Sequence, residues 1–153
     1  MLTQNLIDTL KLISKRLTEN GFIWAIIGST NLALQGVDIV PRDIDIIVTI
    51  ENLTQIKNIF PEYEVGEIEE KQSSVSGSYW RVIMRINDIE VEVLGEKDDG
   101  IYAGRLLAGN KIEIPLDDVS ISCLSLESEL EAYRDTGRQN RVDLIEQFLS
   151  AKK

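Results

Sequence analysis

The 153-residue chain carries 43% hydrophobic residues, a mean hydropathy of −0.07 and a formal charge of −10. This balance describes a globular protein long enough to bury its own core, and the charge opposes nonspecific binding to nucleic-acid phosphates. Histidine is absent and cysteine occurs once, at Cys123, which excludes Ser-His and Cys-His catalytic pairs, His-rich zinc sites and an internal disulfide.

No apolar run approaches the length of a membrane span, and the first residues lack a signal peptide's basic-then-apolar order. The expectation is a cytoplasmic chain with no membrane partner. It has no repeat and no linker, so it reads as one domain over residues 1–153, with a core at about 22–95 and C-terminal helices at about 126–151.

Leu6, Ile7, Leu10, Ile13 and Leu17 recur at helical spacing within residues 3–20, and Gly21 stands where a C-cap would. Residues 22–27 form a continuous apolar run, as in a strand covered on both faces. A short helix is expected over residues 29–35, closed by Gly36, then a loop at 37–42 in which Pro41 keeps Val40 extended. A strand follows over residues 43–50. Residues 53–60 are expected to form one helix ended by Pro61, residues 63–68 a strand, and the Ser/Gly-rich residues 71–78 a loop.

Residues 79–86 and 89–94 predict a hairpin turning at Asn87-Asp88. A two-residue loop sets Ile86 opposite Ile89, Arg85 opposite Glu90 and Ile83 opposite Glu92. Trp80, Val82, Met84, Ile86, Ile89, Val91 and Val93 then share the buried face. Arg85 gains Glu90 as a cross-strand partner, and Glu92 has none. Gly109-Asn110 is expected to turn a second hairpin into residues 111–116, and residues 126–136 and 139–151 read as two helices divided at Gly137. Cys123 reads as a small buried hydrophobe, and Trp24 and Trp80 as core fillers. The fold class is α+β (mixed α/β), with a mixed central sheet flanked by helices.

Chemistry concentrates at Gly28-Ser29 and Asp43-Ile44-Asp45-Ile46. The glycine-serine pair ends one apolar strand and opens a helix, whose first N–H groups lack internal partners and suit a phosphate. Taken alone, it is also an ordinary strand-to-helix turn. Asp43 and Asp45 fall on one face of the next strand, with Ile44, Ile46 and Val48 on the other. Two carboxylates side by side repel unless a cation sits between them, and Mg²⁺ favours carboxylates together with substrate phosphates. The alternative is a solvated edge strand, or ion pairing with Arg42 or other basic residues.

In this spacing the chain resembles the nucleotidyltransferases related to DNA polymerase beta, and among them the small stand-alone group called minimal nucleotidyltransferases. Their pattern is an apolar residue, Gly, Gly or Ser, a spacer, acid-apolar-acid, and a third acid on a later strand. Here that third position falls at Glu92 within Ile89-Glu-Val-Glu-Val-Leu94. Glutamate stands where the family usually has aspartate, one methylene longer. The run from Leu126 to Arg138 is similar to the helix that closes many such domains.

The resemblance implies a nucleotidyltransferase fold and transfer of a nucleoside monophosphate, AMP from ATP, with pyrophosphate leaving. Asp43, Asp45 and Glu92 would be the catalytic residues and hold two Mg²⁺ ions once a nucleoside triphosphate is bound, while Gly28, Ser29 and Arg42 would hold its phosphates. Arg81 and Arg85 are further candidates for phosphate charge, and Arg138 and Arg141 for facing an acceptor. The acceptor is unidentified, with a small molecule or protein favoured over nucleic acid. A protein partner or a homodimer is compatible with the small size. The competing reading is a weak or inactive domain that keeps the fold and serves as a binding or regulatory module, such as an antitoxin-like partner.

Overall fold

The amphipathic spacing near the N-terminus produces helix α1, Gln4–Glu19, whose Leu6, Leu10, Ile13 and Leu17 are all buried. Thr3 caps its start by accepting from the Leu6 N–H. Its end is a Schellman closure: the Gly21 N–H donates to the Thr18 carbonyl and the Phe22 N–H to Leu17, with Gly21 at a φ of 74°. That closure takes Phe22 out of the following strand, so β1 is only Ala25–Ile27 rather than the expected 22–27. In this computed structural model, residues 2–73, 75 and 77–152 are described.

Helix α2, Gly28–Leu34, follows β1 without a loop, and strand β2 is Ile44–Thr49 rather than the expected 43–50, so Asp45 lies on the strand and Asp43 in the bend just before it. The expected helix at 53–60 is instead two short helices, α3 (Ile50–Leu53) and α4 (Ile56–Ile59). Thr49 starts the first by accepting from the Asn52 N–H, and the Thr54 hydroxyl turns back to the Glu51 carbonyl.

The expected strand at 63–68 does not form. Strand β3 is Glu69–Ser73, inside what read as the start of a loop. Its exposed sequence carries little apolar signal, and pairing with β4, Gly77–Ile86, is what makes it a strand. Ser74 and Ser76 of that expected loop lie outside the described residues.

The β4–β5 hairpin has the expected register, with Ile86↔Ile89, Arg85↔Glu90 and Ile83↔Glu92, and β5 runs Ile89–Glu96. Asn87 and Asp88 both take positive φ, as a two-residue hairpin turn requires. Arg85 donates to the Asp88 carbonyl rather than pairing with Glu90. Helix α5, Ala103–Leu107, was not anticipated, and Gly109 ends it rather than turning a hairpin. The second hairpin joins β6, Lys111–Leu116, to β7, Val119–Leu124, through Asp117-Asp118. Helices α6, Leu126–Asp135, and α7, Gln139–Ala151, follow.

Among the described residues the strands form one mixed seven-stranded sheet in the order β3-β4-β5-β2-β1-β7-β6, with β1–β7 and β2–β5 parallel and the other pairs antiparallel. One face, including Ile44, Ile46, Val48, Val91 and Val93, packs on apolar residues of α1, α3 and α4. The other packs Ala25, Ile27, Ile47 and Leu124 against Ala103 and Leu106 of α5. A separate cluster joins α2 to α6 and α7 through Leu32, Leu130, Tyr133 and Ile145. This brings the end of β1 and the start of β2 against α6, where the candidate site lies. Cys123 and Trp24 are buried as expected, and Trp80 is half-buried. Among the described residues no helix is long and apolar enough to cross a membrane.

Gly95 on β5 lies under α3, where an added Cβ would stand 2.7 Å from Leu53 Cδ2 and 2.9 Å from Leu53 Cβ. Gly95→Ala is expected to lower stability by about 1–3 kcal/mol, read as a lower urea midpoint at unchanged slope. An unchanged midpoint would mean that α3 can shift without loss.

Candidate active site

Register places the acids before any side chain is considered. Ile27 pairs with Asp45 across β1–β2, and Asp45 pairs with Glu92 across β2–β5. Residues opposite one another share a sheet face, so Asp45 and Glu92 both project on the α5 side. Gly28 follows Ile27 at a φ of +75°, and a Cβ there would lie 2.7 Å from Asp45 Oδ2. Any side chain at position 28 would therefore meet the Asp45 carboxylate and strain the backbone as well.

Burial is the largest influence on the Asp45 carboxyl and pushes it up to about 6, and the negative charges of Glu92 and Asp43 push the same way. Arg138 opposes them weakly. Asp43 is exposed, and its backbone carbonyl accepts from the Thr30 hydroxyl at 2.6 Å, tying the start of β2 to α2. Glu92 is not without a partner, as the hairpin register alone suggested. Arg81, diagonal to it on β4, donates from Nη1 to Oε2 at 2.7 Å. The guanidinium's reach decides this pairing, which counting directly opposite residues overlooks.

Two clefts meet at Asp45. One, of about 450 Å³, is lined by Gly28, Ser29, Arg42, Asp43, Arg138 and Arg141, with the exposed Val40 at its wall. The other, of about 280 Å³, is lined by Glu92, Glu96, Tyr79, Tyr102, Tyr133 and Arg138 among others. The first is rich in arginine, and the second combines acids with aromatic rings.

Of the arginines raised from sequence, Arg42, Arg138 and Arg141 face the first cleft, Arg81 holds Glu92, and Arg85 sits at the hairpin turn. Arg138 lies 5.1 Å and Arg141 5.8 Å from the centre of the Tyr133 ring, and Arg141 Nη1 also donates to the Tyr133 hydroxyl at 3.4 Å. A Schellman closure at Gly137 fixes where Arg138 emerges, because the Arg138 N–H donates to the Tyr133 carbonyl.

Sequence reading missed Glu129. It is fully buried on α6, and its Oε2 accepts from the Gly28 N–H at 2.8 Å. The Gly28 amide, expected to face a phosphate, is therefore taken by protein. Burial pushes the Glu129 carboxyl up to about 7, against the opposing pull of the Gly28 N–H. The only signal in the sequence was an acid on the inward face of an amphipathic helix, at a position otherwise flanked by Leu126, Leu130 and Tyr133.

Among the described residues no three acidic or thiol side chains converge as a ready-made metal cage. Asp45 nevertheless fits a hard divalent cation, since its oxygens are largely desolvated beside two further acids and no hydrogen bond or ion pair to its carboxylate is formed among the described residues. Asp43 and Asp45 are the residues that would hold such an ion, and Glu92 could join once released by Arg81.

None of the curated proteins matches this chain. Among solved structures, a candidate nucleotidyltransferase from Thermotoga maritima superimposes with a TM-score of 0.74 at 25% identity, covering 99% of this chain and 96% of its own. ANT(2'')-Ia in complex with adenylyl-2''-tobramycin gives a TM-score of 0.55 at 16% identity, over 96% of this chain and 98% of its own. The solution structure of that antibiotic-resistance factor gives 0.53 at 16%, over 95% and 92%. At 16% the likeness is one of fold, and the fold is that of nucleotidyltransferases. The sequence profile of one family, aminoglycoside-2''-adenylyltransferase, matches residues 9–148, nearly the whole length. The chain belongs to the aminoglycoside-2''-adenylyltransferase family.

Proposed function

We propose that this protein transfers AMP from ATP to a hydroxyl of a small, positively charged acceptor and releases pyrophosphate. The observation that carries the reading is the meeting of two unlike clefts at Asp45, one lined by arginines and the other by acids and tyrosines. The triphosphate lies in the arginine cleft, where Arg42, Arg138 and Arg141 offset its charge and the Ser29 hydroxyl is in reach of its oxygens. The acceptor occupies the tyrosine-lined pocket, where Glu92 and Glu96 favour a cation. Family membership supports a small-molecule acceptor, as does the adenylyl-2''-tobramycin bound to ANT(2'')-Ia.

In the reaction an acceptor oxygen bonds to the α-phosphorus, the bond from that phosphorus to the pyrophosphate oxygen breaks, and the hydroxyl proton passes to Glu92. Mg²⁺ held by Asp43 and Asp45 would supply charge neutralisation at the phosphates. Glu92 has to leave Arg81 to take the proton, and the freed guanidinium can then face the phosphates.

The pairing of Arg81 with Glu92 is also what favours a second reading, a catalytically silent module that binds a partner protein. Copurification with one protein, undisturbed by Asp43→Ala/Asp45→Ala, would support it. The two readings separate on incubation with labelled ATP, Mg²⁺ and a panel of aminoglycosides. Transfer predicts an acceptor heavier by one AMP with stoichiometric pyrophosphate, and no labelled product with any acceptor would count against it.

Glu92→Gln is expected to reduce transfer by about 10²-fold or more while ATP still binds, because the proton's destination is lost and the phosphate cleft is untouched. Equal activity in the variant would remove Glu92 from the chemistry.

Asp45 also makes a stability prediction. Burial raises its folded pKa to about 6 from an ordinary 3.8, so its charged form costs stability above about pH 6, and the cost disappears below pH 3.8. Without divalent metal, Asp45→Asn should raise Tm by roughly 5 °C at pH 7.5, given a cost on the order of 2 kcal/mol, and leave it nearly unchanged at pH 3.5. Mg²⁺ with ATP should raise the wild-type Tm and leave this variant unmoved, which a calorimetric scan would read directly.

A further inference from the structure

Helix α6 lies behind the site, and one of its side chains does something that packing does not require. Glu129 is wholly buried, its Oε2 accepts from the Gly28 N–H at 2.8 Å, and its Oε1 has no hydrogen-bond partner among the described residues. The Asn31 amide donates to the Leu124 carbonyl at 2.9 Å and lies near enough to the Glu129 carboxyl to offset part of the cost of its burial. No salt bridge to Glu129 is formed among the described residues. A carboxylate so placed is costly, and an uncharged side chain of the same size would pack as well or better.

Its 2.8 Å bond falls on the residue whose missing Cβ makes room for Asp45. Gly28 is thus held from behind by Glu129, while Asp45 lies against its α-carbon. Glu129 itself is set by the Ser125 cap at the start of α6, where the Ser125 hydroxyl accepts from the Ser128 N–H at 3.2 Å. Asn31 and Gln35 anchor the other side by donating to the Leu124 carbonyl at the end of β7.

We propose that Glu129 is a positioning residue, a buried acceptor that holds the Gly28-Ser29 turn in place against the Asp45 carboxylate. It touches neither substrate nor the reacting atoms. It acts by keeping a left-handed glycine from relaxing, so that Asp45, Ser29 and the arginine cleft stay in register. This role rests on the nucleotidyl-transfer reading for its effect on rate, and on the hydrogen bond alone for its effect on the turn.

The test compares Glu129→Gln, which keeps an oxygen to accept from Gly28, with Glu129→Met, which keeps the volume and removes the acceptor. Three quantities are read in the full chain: Tm, hydrogen exchange of the Gly28 amide, and kcat and KM for ATP. The Gln variant should keep the amide protected and kcat within about threefold of wild type, since a neutral acceptor replaces a charged one. The Met variant should have an equal or higher Tm, a rapidly exchanging Gly28 amide, and kcat lower by roughly 30- to 100-fold with little change in KM.

Wild-type kcat in the Met variant would overturn the proposal, as would an equal loss in both variants. A Met variant that does not fold would make Glu129 a structural requirement and also overturn it. Should wild-type protein transfer nothing to any acceptor, the proposed reaction fails, and Gly28 exchange in the three proteins still decides the role in the turn.

Discussion

The approach of the Asp45 carboxylate to the α-carbon of Gly28 constrains more of this molecule than any other contact. It requires a residue without Cβ, at a φ that only glycine adopts freely, directly where β1 passes into α2. It also requires the β1–β2 register that sets Ile27 opposite Asp45, because a slip of one residue would turn the carboxylate toward the core on α1. Desolvation follows from the same closeness. Asp45 is left beside Glu92 and Asp43 with little to offset the repulsion, so the fold holds an electrostatic cost at one point. A site of this kind gains on binding a cation what it loses in the free protein, which is the usual trade between stability and function.

Polarity across that point comes from elements far apart in sequence. Tyr133 carries Arg138 and Arg141 on its ring, and the helix closure at Gly137 aims them at the cleft beside Gly28. Glu96 accepts from the Tyr102 and Ala103 N–H groups, each at 2.8 Å, and so holds the start of α5 beside the tyrosine-lined pocket. Neither arrangement depends on the acids of β2. Arg42 and Arg141 therefore line one cleft and Glu92 and Glu96 the other, with Asp45 and Arg138 common to both. A net charge of −10 would hinder triphosphate binding if spread evenly, and the local cluster of arginines is how a phosphate could be accommodated regardless.

Much of this was legible in the sequence where pattern and chemistry coincide. The β4–β5 register followed from an Asn-Asp turn between alternating strands, whereas Glu92 lies beside Asp45 through the parallel β2–β5 pairing, which only the family resemblance implied. Strand β3 was illegible because Glu-Glu-Lys-Gln-Ser has no apolar face, and an edge strand is defined by its neighbour's backbone. Helix α5 was too short to show a period, and β7 lacked a marked turn signal other than Asp117-Asp118. Glu129 was hidden for a different reason. Its partner is a backbone amide 101 residues away, and no local pattern encodes such a pairing.

The glutamate at position 92 is then less a defect than a question of reach. Its carboxylate now lies on Arg81, and both side chains are about one-quarter exposed, 27% for the arginine and 23% for the glutamate. Ion pairs with that much solvent contribute about 1 kcal/mol or less, so opening this one costs little beside what binding a triphosphate can supply. An aspartate, shorter by one methylene, would have less reach toward the arginine. In the proposed reaction the longer side chain would serve both partners in turn, Arg81 while the site is free of phosphate and the Asp45 neighbourhood once phosphate draws the guanidinium away. The Glu92–Arg81 pair keeps an otherwise unpaired acid beside Asp45 from adding its full charge to an already repulsive site, and in the proposed reaction it would be given up when that charge becomes useful.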